Sequence, residues 1–488
     1  MMYNKKSDDM KKGTIMTKQK DAPRLGENKM GTMGVGKLLV NMAMPIIIAM
    51  LVQALYNVVD SYFVSKIDTY DGYTDEKVIR ESAIAAMSLA FAIQNILIGF
   101  ATGIGVGVNA LLSKCLGQGD QERANQTAGN GVVLALLATG LFMLFGGFFA
   151  DDYFRMMSDS PLTREFGTQY IAICCIFSLG IFVEVLGERL LQSSGRTVYT
   201  MITQGTGAII NIILDPVLIF GLGPIPKMGI AGAAIATVIG QWVAALLAVI
   251  FNLKFNPDVH FSPRCFKLRL DIVKPILTVG VPAIVMNSIG SVMNMGINKV
   301  LQGFRQYGEV PVNVFGIYFK LQSFFFMPLF GLNNATISIV AYNYGACRPK
   351  RIIKTLKLAS ISALSFMLLG LAVFQLLPDL LLSIFDTSPD FLHLGRNALR
   401  IISWCFPFAA VCISLGASFQ ALGNGIYSTI VSLCRQMVVL LPAAYLLSLS
   451  GNVNLVWWAF PIAELMSLAA TSFFFIRIYR QKIRPMIQ

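Results

Sequence analysis

Long stretches without a charge divide this chain, and their length limits what it can become. A charge near the centre of a bilayer costs a few kcal/mol on insertion scales, so ionisable residues punctuate membrane sequences. Twelve apolar runs emerge, with cores near residues 38–65, 82–113, 124–150, 166–187, 197–221, 228–253, 275–298, 311–344, 358–378, 391–421, 426–449 and 454–476. Each can cross a hydrocarbon layer as a helix of ~20 residues. Backbone polar groups in lipid must be satisfied inside the segment, so such runs are helices. The expected fold is an all-α membrane protein with twelve transmembrane helices.

Of the 488 residues only 13% are charged, against roughly 25% in a soluble domain. The net charge of +13 does not point to nucleic acid, because the basic residues sit at the ends of apolar runs and not on one aromatic-interleaved face. Most of the 39 lysines and arginines fall in the amino-terminal segment, alternate loops and the carboxyl end. By that bias both termini are expected in the cytoplasm; the expected location of the multi-pass chain is a plasma membrane, a bacterial inner one. The first run follows a polar, lysine-rich segment directly and is expected to be retained.

The eight cysteines show no C-x-x-C spacing, and with only His260 and His393 beside them they read as small apolar fillers, not zinc ligands. There is no P-loop, H-E-x-x-H or G-x-S-x-G. Gly103, Gly105 and Gly107 mimic a nucleotide loop, but Val108 stands where its last glycine belongs. Neither ATP-driven transport nor enzyme activity is expected, and no cofactor.

The sequence divides into a polar cytoplasmic tail (1–36), a six-span half (37–253), a basic cytoplasmic linker (254–273) and a second six-span half (274–488). The halves resemble one another. Pro45 and Asn57 share their interval with Pro282 and Asn294, Gly105–Gly119 lines up with Gly331–Gly345, and Gly195-x-x-x-Tyr199 with Gly423-x-x-x-Tyr427. Two pseudo-symmetric six-helix bundles follow, and repeats of this kind place a substrate path at their interface.

Ionisable groups inside spans mark function more often than chance. Asp60 is the only charge between Lys37 and Lys66, and Asp215 the only one between Arg196 and Lys227. Asn57 and Asn211 lie one turn before them on the same faces. Pro216, lacking an N–H, leaves the Ile212 carbonyl without its helical partner. If spans one and five pack together, an all-oxygen pocket results, suited to a proton or sodium, and Thr237 could add a hydroxyl. For the asparagines, plain interhelical hydrogen bonding, worth about 0.6 kcal/mol each, is an equal alternative. Pro45 and Pro282 should kink their spans, as moving hinges or as static bends.

The second half lacks these acids: Ile297 and Ala443 stand where Asp60 and Asp215 would be. It keeps Lys320, Arg435 and Glu464, the last two read as a neutralised structural pair, while Glu184 and Glu188 are expected near the membrane interface. Twenty-three methionines and 34 phenylalanines suit an adaptable apolar cavity. Its candidate lining is Gln53, Tyr56, Met286, Asn294 and Lys320.

These features resemble the multidrug and toxic compound extrusion (MATE) family. The resemblance rests on the twelve spans in two halves and on Pro45 with Asn57-Val-Val-Asp60, Gly117-Gln-Gly-Asp120, Asn211-Ile-Ile-Leu-Asp215-Pro216 and Gly229-Ile-Ala-Gly232-Ala-Ala-Ile-Ala-Thr237. It implies an efflux antiporter in which Asp60, Asn211, Asp215 and Thr237 hold the coupling proton or sodium ion and the first span bends at Pro45. Family members with acidic cation ligands in span seven have no match here, since 275–298 carries no ligand acid. The expected cargo is organic drugs or toxic compounds, cationic or amphipathic, carried by a monomer among membrane lipids. A flippase for a lipid-linked precursor is the alternative, and it would need a strongly basic cavity.

Overall fold

The computed structural model describes residues 28–487 except 65, 68–74, 222 and 386–387, and leaves out the side chains of Asn57 and Ser61. The spans are α1 (Val35–Val64), α2 (Glu76–Gln118), α3 (Gln121–Phe148), α4 (the bent pair Pro161–Ile176 and Leu179–Ser193), α5 (Thr197–Phe220) and α6 (Gly229–Phe255), followed by α7 (Leu270–Gln302), α8 (Val310–Gly345), α9 (Pro349–Leu376), α10 (the bent pair Pro389–Ser403 and Phe406–Ala421), α11 (Gly425–Ser448) and α12 (Val453–Met486). The described residues form ten unbroken spans, and the two pairs, bent by 49° and 43°, complete twelve.

The bends have local causes. In α10 the break precedes Pro407, which has no N–H to return to the Ser403 carbonyl. In α4 the helix tightens where Ser178 N–H donates to the Cys175 oxygen at 3.2 Å and Gly180 N–H to that of Phe177 at 3.3 Å, one residue short of the α-helical partner. The motif Gly117-Gln-Gly-Asp120 is a joint between helices. Gly119 closes α2 at φ 75, and the Asp120 carboxylate caps α3 by accepting from the Arg123 N–H at 3.0 Å.

Among the described residues three apolar clusters form; the two largest lie one in each half, and each takes in the start of the other half's first helix. Leu38, Met42 and Ile46 of α1 pack with Phe315, Ala359 and Phe406 of the carboxyl half. Ile272 and Ile276 of α7 pack with Val108, Ala128 and Phe182 of the amino half. Outward faces carry side chains such as Leu141, Leu144 and Leu246, more than half exposed and suited to lipid.

The pseudo-symmetry is visible bond by bond. Gly195 and Gly423 adopt φ 77 and 74, a left-handed turn that side-chain-bearing residues resist. After each, the next N–H returns to the oxygen five residues back at 2.7 Å, from Arg196 to Leu191 and from Asn424 to Phe419. Where α2 crosses α8, a Cβ on Gly117 would overlap the Tyr342 carbonyl, and one on Gly345 would overlap that of Lys114. The exchange is reciprocal, as a two-fold axis requires. It also corrects the expected alignment by two residues: Gly117, not Gly119, is the partner of Gly345, and Gly119 corresponds to Cys347, which likewise has a positive φ of 55. Counting glycines misled because both stretches are glycine-rich, whereas contact picks out the register.

The segment expected as a polar tail ends in a packed clasp. Residues 1–27 lie outside the described ones, but Met30 is fully buried. Asn28 donates to the Ser194 carbonyl at 2.9 Å and to Asp258 at 3.1 Å. From the carboxyl half, Arg351 donates to the carbonyls of Met30 at 3.0 Å and Met33 at 2.7 Å, and Arg348 to that of Gly31 at 2.7 Å. The linker packs back on α3, where the Asn130 amide holds the Cys265 and Lys267 carbonyls.

Candidate cation site and carboxyl-half cavity

Spans α1 and α5 pack along one another. Asp60 is 7% exposed and Asp215 fully buried. The two carboxylates are close enough to interact electrostatically. Turned so that its nitrogen donates to Asp215 Oδ2 at 3.3 Å, the Asn211 amide offers its oxygen to the Thr237 N–H at 3.1 Å and hydroxyl at 3.3 Å. This ties α5 to α6 through the residues singled out by sequence. Asp60 Oδ1 is buried with no hydrogen-bond partner, a costly state that an ion or proton would relieve. Among the described residues no set of three or more His, Cys, Asp or Glu side chains gathers as a metal cluster. The polar atoms at this place are two carboxylates with amide and hydroxyl oxygens, the hard type of donor that a proton or small cation would suit. Asn57 lies on α1 one turn before Asp60, and its side chain is outside the described ones.

Pro45 and Pro282 both sit inside continuous helices. Pro45 deprives the Asn41 carbonyl of its helical N–H, and the Thr197 hydroxyl of α5 donates to that oxygen at 3.3 Å. The carbonyl of Pro282 itself accepts from Thr429 of α11 at 3.1 Å.

The five residues expected to share a cavity are spread over three places. On α1, Gln53 accepts from Gln204 of α5 at 2.8 Å, and Tyr56 lies within electrostatic reach of Asp60, Glu184 and Asp215. Met286 lines a cavity of about 460 Å³ inside the carboxyl half. Asn294 and Lys320 line a different one of about 570 Å³, with Asn298 and Asn313. Hydropathy identifies helices but not the azimuth at which each faces its neighbours, so it could not sort these residues.

Two clusters escaped the sequence reading in part. Glu188, expected at the interface, is buried at 7% exposure beside Arg189 at 8%. Its Oε1 accepts from Thr203 of α5 at 3.1 Å, while Arg189 donates to Gln192 at 2.9 Å. The charges so near a span end resembled an interface, but close packing of α4 on α5 and α6 withdraws them. Arg435 does pair with Glu464, at 2.7 Å, and both line the 460 Å³ cavity with Met286, Phe326, Tyr318 and Gln436. Arg435 stands in a π-helical stretch, Cys434–Leu440, that ends where Pro442 lacks an N–H; such bulges often accompany functional sites. An arginine and a glutamate in adjoining apolar spans were the available signal.

The MatE family pattern matches residues 45–217 and 282–446, one stretch in each half. The FAD transporter of Shewanella oneidensis is 25% identical over 433 residues, covering 88% of this chain and 92% of that protein. The multidrug export protein MepA of Staphylococcus aureus is 24% identical over 443 residues, covering 89% and 92%. Among solved structures, a MOP superfamily transporter from Pyrococcus furiosus is 24% identical and superposes with a TM-score of 0.83 over 93% of this chain and 97% of that one. With both repeats matched over most of the sequence, the chain belongs to the MatE family of membrane transporters.

Proposed function

We propose that this protein is a secondary active efflux antiporter that exports organic compounds in exchange for protons or sodium ions. The observation that carries this reading is the buried, unpartnered Asp60 Oδ1 within electrostatic reach of Asp215, which Asn211 links to Thr237. An inward ion gradient loads this site, and the ion's unequal affinity for two arrangements of the halves drives alternating access. A proton and a sodium ion compete there, because two close carboxylates need one or the other to share the pocket. Bending of α1 at Pro45 moves Asp60 relative to Asp215. Naming of relatives as multidrug exporters supports small organic drugs as cargo. The bias of lysines and arginines supports a plasma membrane with both termini in the cytoplasm, and the interval between α6 and α7 supports a linker between two duplicated bundles. A lipid-linked precursor flippase needs several cations gathered in one cavity, whereas the 460 Å³ cavity offers Arg435, bonded to Glu464, and the 570 Å³ one offers Lys320.

The deciding experiment is dye efflux from proteoliposomes with the sodium and pH gradients imposed separately, comparing wild type with Asp60→Asn. Wild type should respond to at least one gradient and the variant to neither. Equal efflux by both proteins would end the antiport reading.

A further inference from the structure

The Arg435–Glu464 pair is only half made. One guanidinium nitrogen, Nη1, meets one carboxylate oxygen, Oε1, at 2.7 Å, although an arginine and a carboxylate usually engage through two parallel bonds. Glu464 is 8% exposed as a residue and 11% in its side chain, and its Oε2, itself buried, has no partner. Among the described residues this bond is the only one recorded for the Arg435 side chain. A pair kept for stability would be expected to satisfy both groups, since a partly satisfied buried network is worse than an apolar one. Both groups line the 460 Å³ cavity, whose size falls in the drug-sized range. Its walls are aromatic and methionine-rich, including Phe326, Phe330, Met286 and Met293. The amino half has Gly207 where Arg435 stands, pressed against the Gly240 backbone with no room for a side chain, so the feature belongs to one half alone.

We propose that this cavity binds dipolar aromatic compounds, molecules bearing both a carboxylate and an ammonium group on a flat apolar frame. The ligand carboxylate takes the unused edge of Arg435, the ammonium takes Oε2 of Glu464, and the frame lies among the phenylalanines. Together the two side chains carry no net charge, so the site offers a local dipole and discriminates against simple cations and simple anions alike. The inference deepens the efflux reading by naming a cargo class and its seat, and it rests on that reading for its role in transport.

The test is equilibrium binding without any gradient, on the full-length protein in detergent, using the fluorescence of Nε-dansyl-lysine, its methyl ester (a cation) and its Nα-acetyl derivative (an anion). Wild type should bind the dipolar probe at least about tenfold more tightly than either of the others. Glu464→Gln frees Arg435 and should make the anion the best ligand; Arg435→Gln frees Glu464 and should favour the cation. The exchanged double variant, Arg435→Glu with Glu464→Arg, guards against simple misfolding and should keep the dipolar preference. Three probes bound alike by wild type, or moved together in the single variants, would overturn the proposal. That result alongside intact ion-coupled efflux would leave the antiport reading standing, whereas the expected binding pattern without any exchange would sink the antiport reading alone.

Discussion

The Thr197 hydroxyl of α5 donates, at 3.3 Å, to the Asn41 carbonyl of α1, the oxygen that Pro45 leaves without a helical N–H. The proline that frees a carbonyl therefore also docks α1 on α5, and the Asn41 side chain accepts from Lys29 of the clasp at 2.8 Å. Pro45, the clasp and the helix pair that carries Asp60 and Asp215 all meet at Asn41.

Thr197→Val should weaken this docking by about 1 kcal/mol, the usual net worth of a hydrogen bond, and Thr197→Ser should restore it. Thiol accessibility of a cysteine placed on the clasp, for instance Met33→Cys, reports the change. Equal labelling in the three backgrounds would show that the bond does not hold this arrangement.

Asp215→Asn and Thr237→Val should separate charge from coordination. On the antiport reading the first removes a charge needed for loading and should abolish ion-driven efflux. The second keeps both carboxylates, removes one oxygen, and should raise the half-saturating ion concentration about fivefold, the equivalent of about 1 kcal/mol, with little change in maximal rate. A Thr237→Val protein with unaltered ion dependence would place the threonine outside the site.

The reciprocal contacts of Gly117 and Gly345 leave no room for a methyl group. Gly117→Ala and Gly345→Ala should each destabilise the protein by about 1–3 kcal/mol, as overpacked sites do, because the opposing atoms are backbone carbonyls that cannot swing away. Gly140→Ala, with nothing within 4 Å of its added carbon, should be neutral. Thermal midpoints in detergent rank the three variants, and an order in which Gly140→Ala falls lowest would refute the contact argument.

Asp258 lies in the linker, outside the spans. Burial raises its pKa above the usual 3.8, outweighing the opposing pull of Arg196 and Asn28. A raised carboxylate binds its proton more tightly in the folded protein, so its contribution to stability is fully present below the unfolded value and is lost as pH rises through the folded one. Asp258→Asn should flatten the part of the pH dependence that begins at the usual carboxylate value of 3.8 and runs up to the raised folded one. Melting curves across this window check it, and an unchanged slope would mean that Asp258 does not titrate there.

The spans, their order and the candidate acids were legible because each rests on a local property. A charge-free run of sufficient length must be a helix in lipid, and Asp60 and Asp215 are conspicuous where nothing else is charged. Glu188 was misjudged because distance from a helix end does not say whether another helix covers that position. Gly119 was paired with Gly345 because composition repeats at neighbouring residues while contact does not.

The amino-acid sequence by itself determined twelve membrane helices, their duplication into two sets of six, and which polar groups had to be sheltered from lipid, since these follow from transfer energies summed along one segment. Only the tertiary structure decided that Thr237 meets Asn211, that residues 28–33 bind both halves, and that Arg435 and Glu464 share a cavity with bonding capacity left over. Those outcomes depend on the rotation and register of helices distant in the chain, which are set by side-chain packing between them and leave no periodic trace in either helix alone.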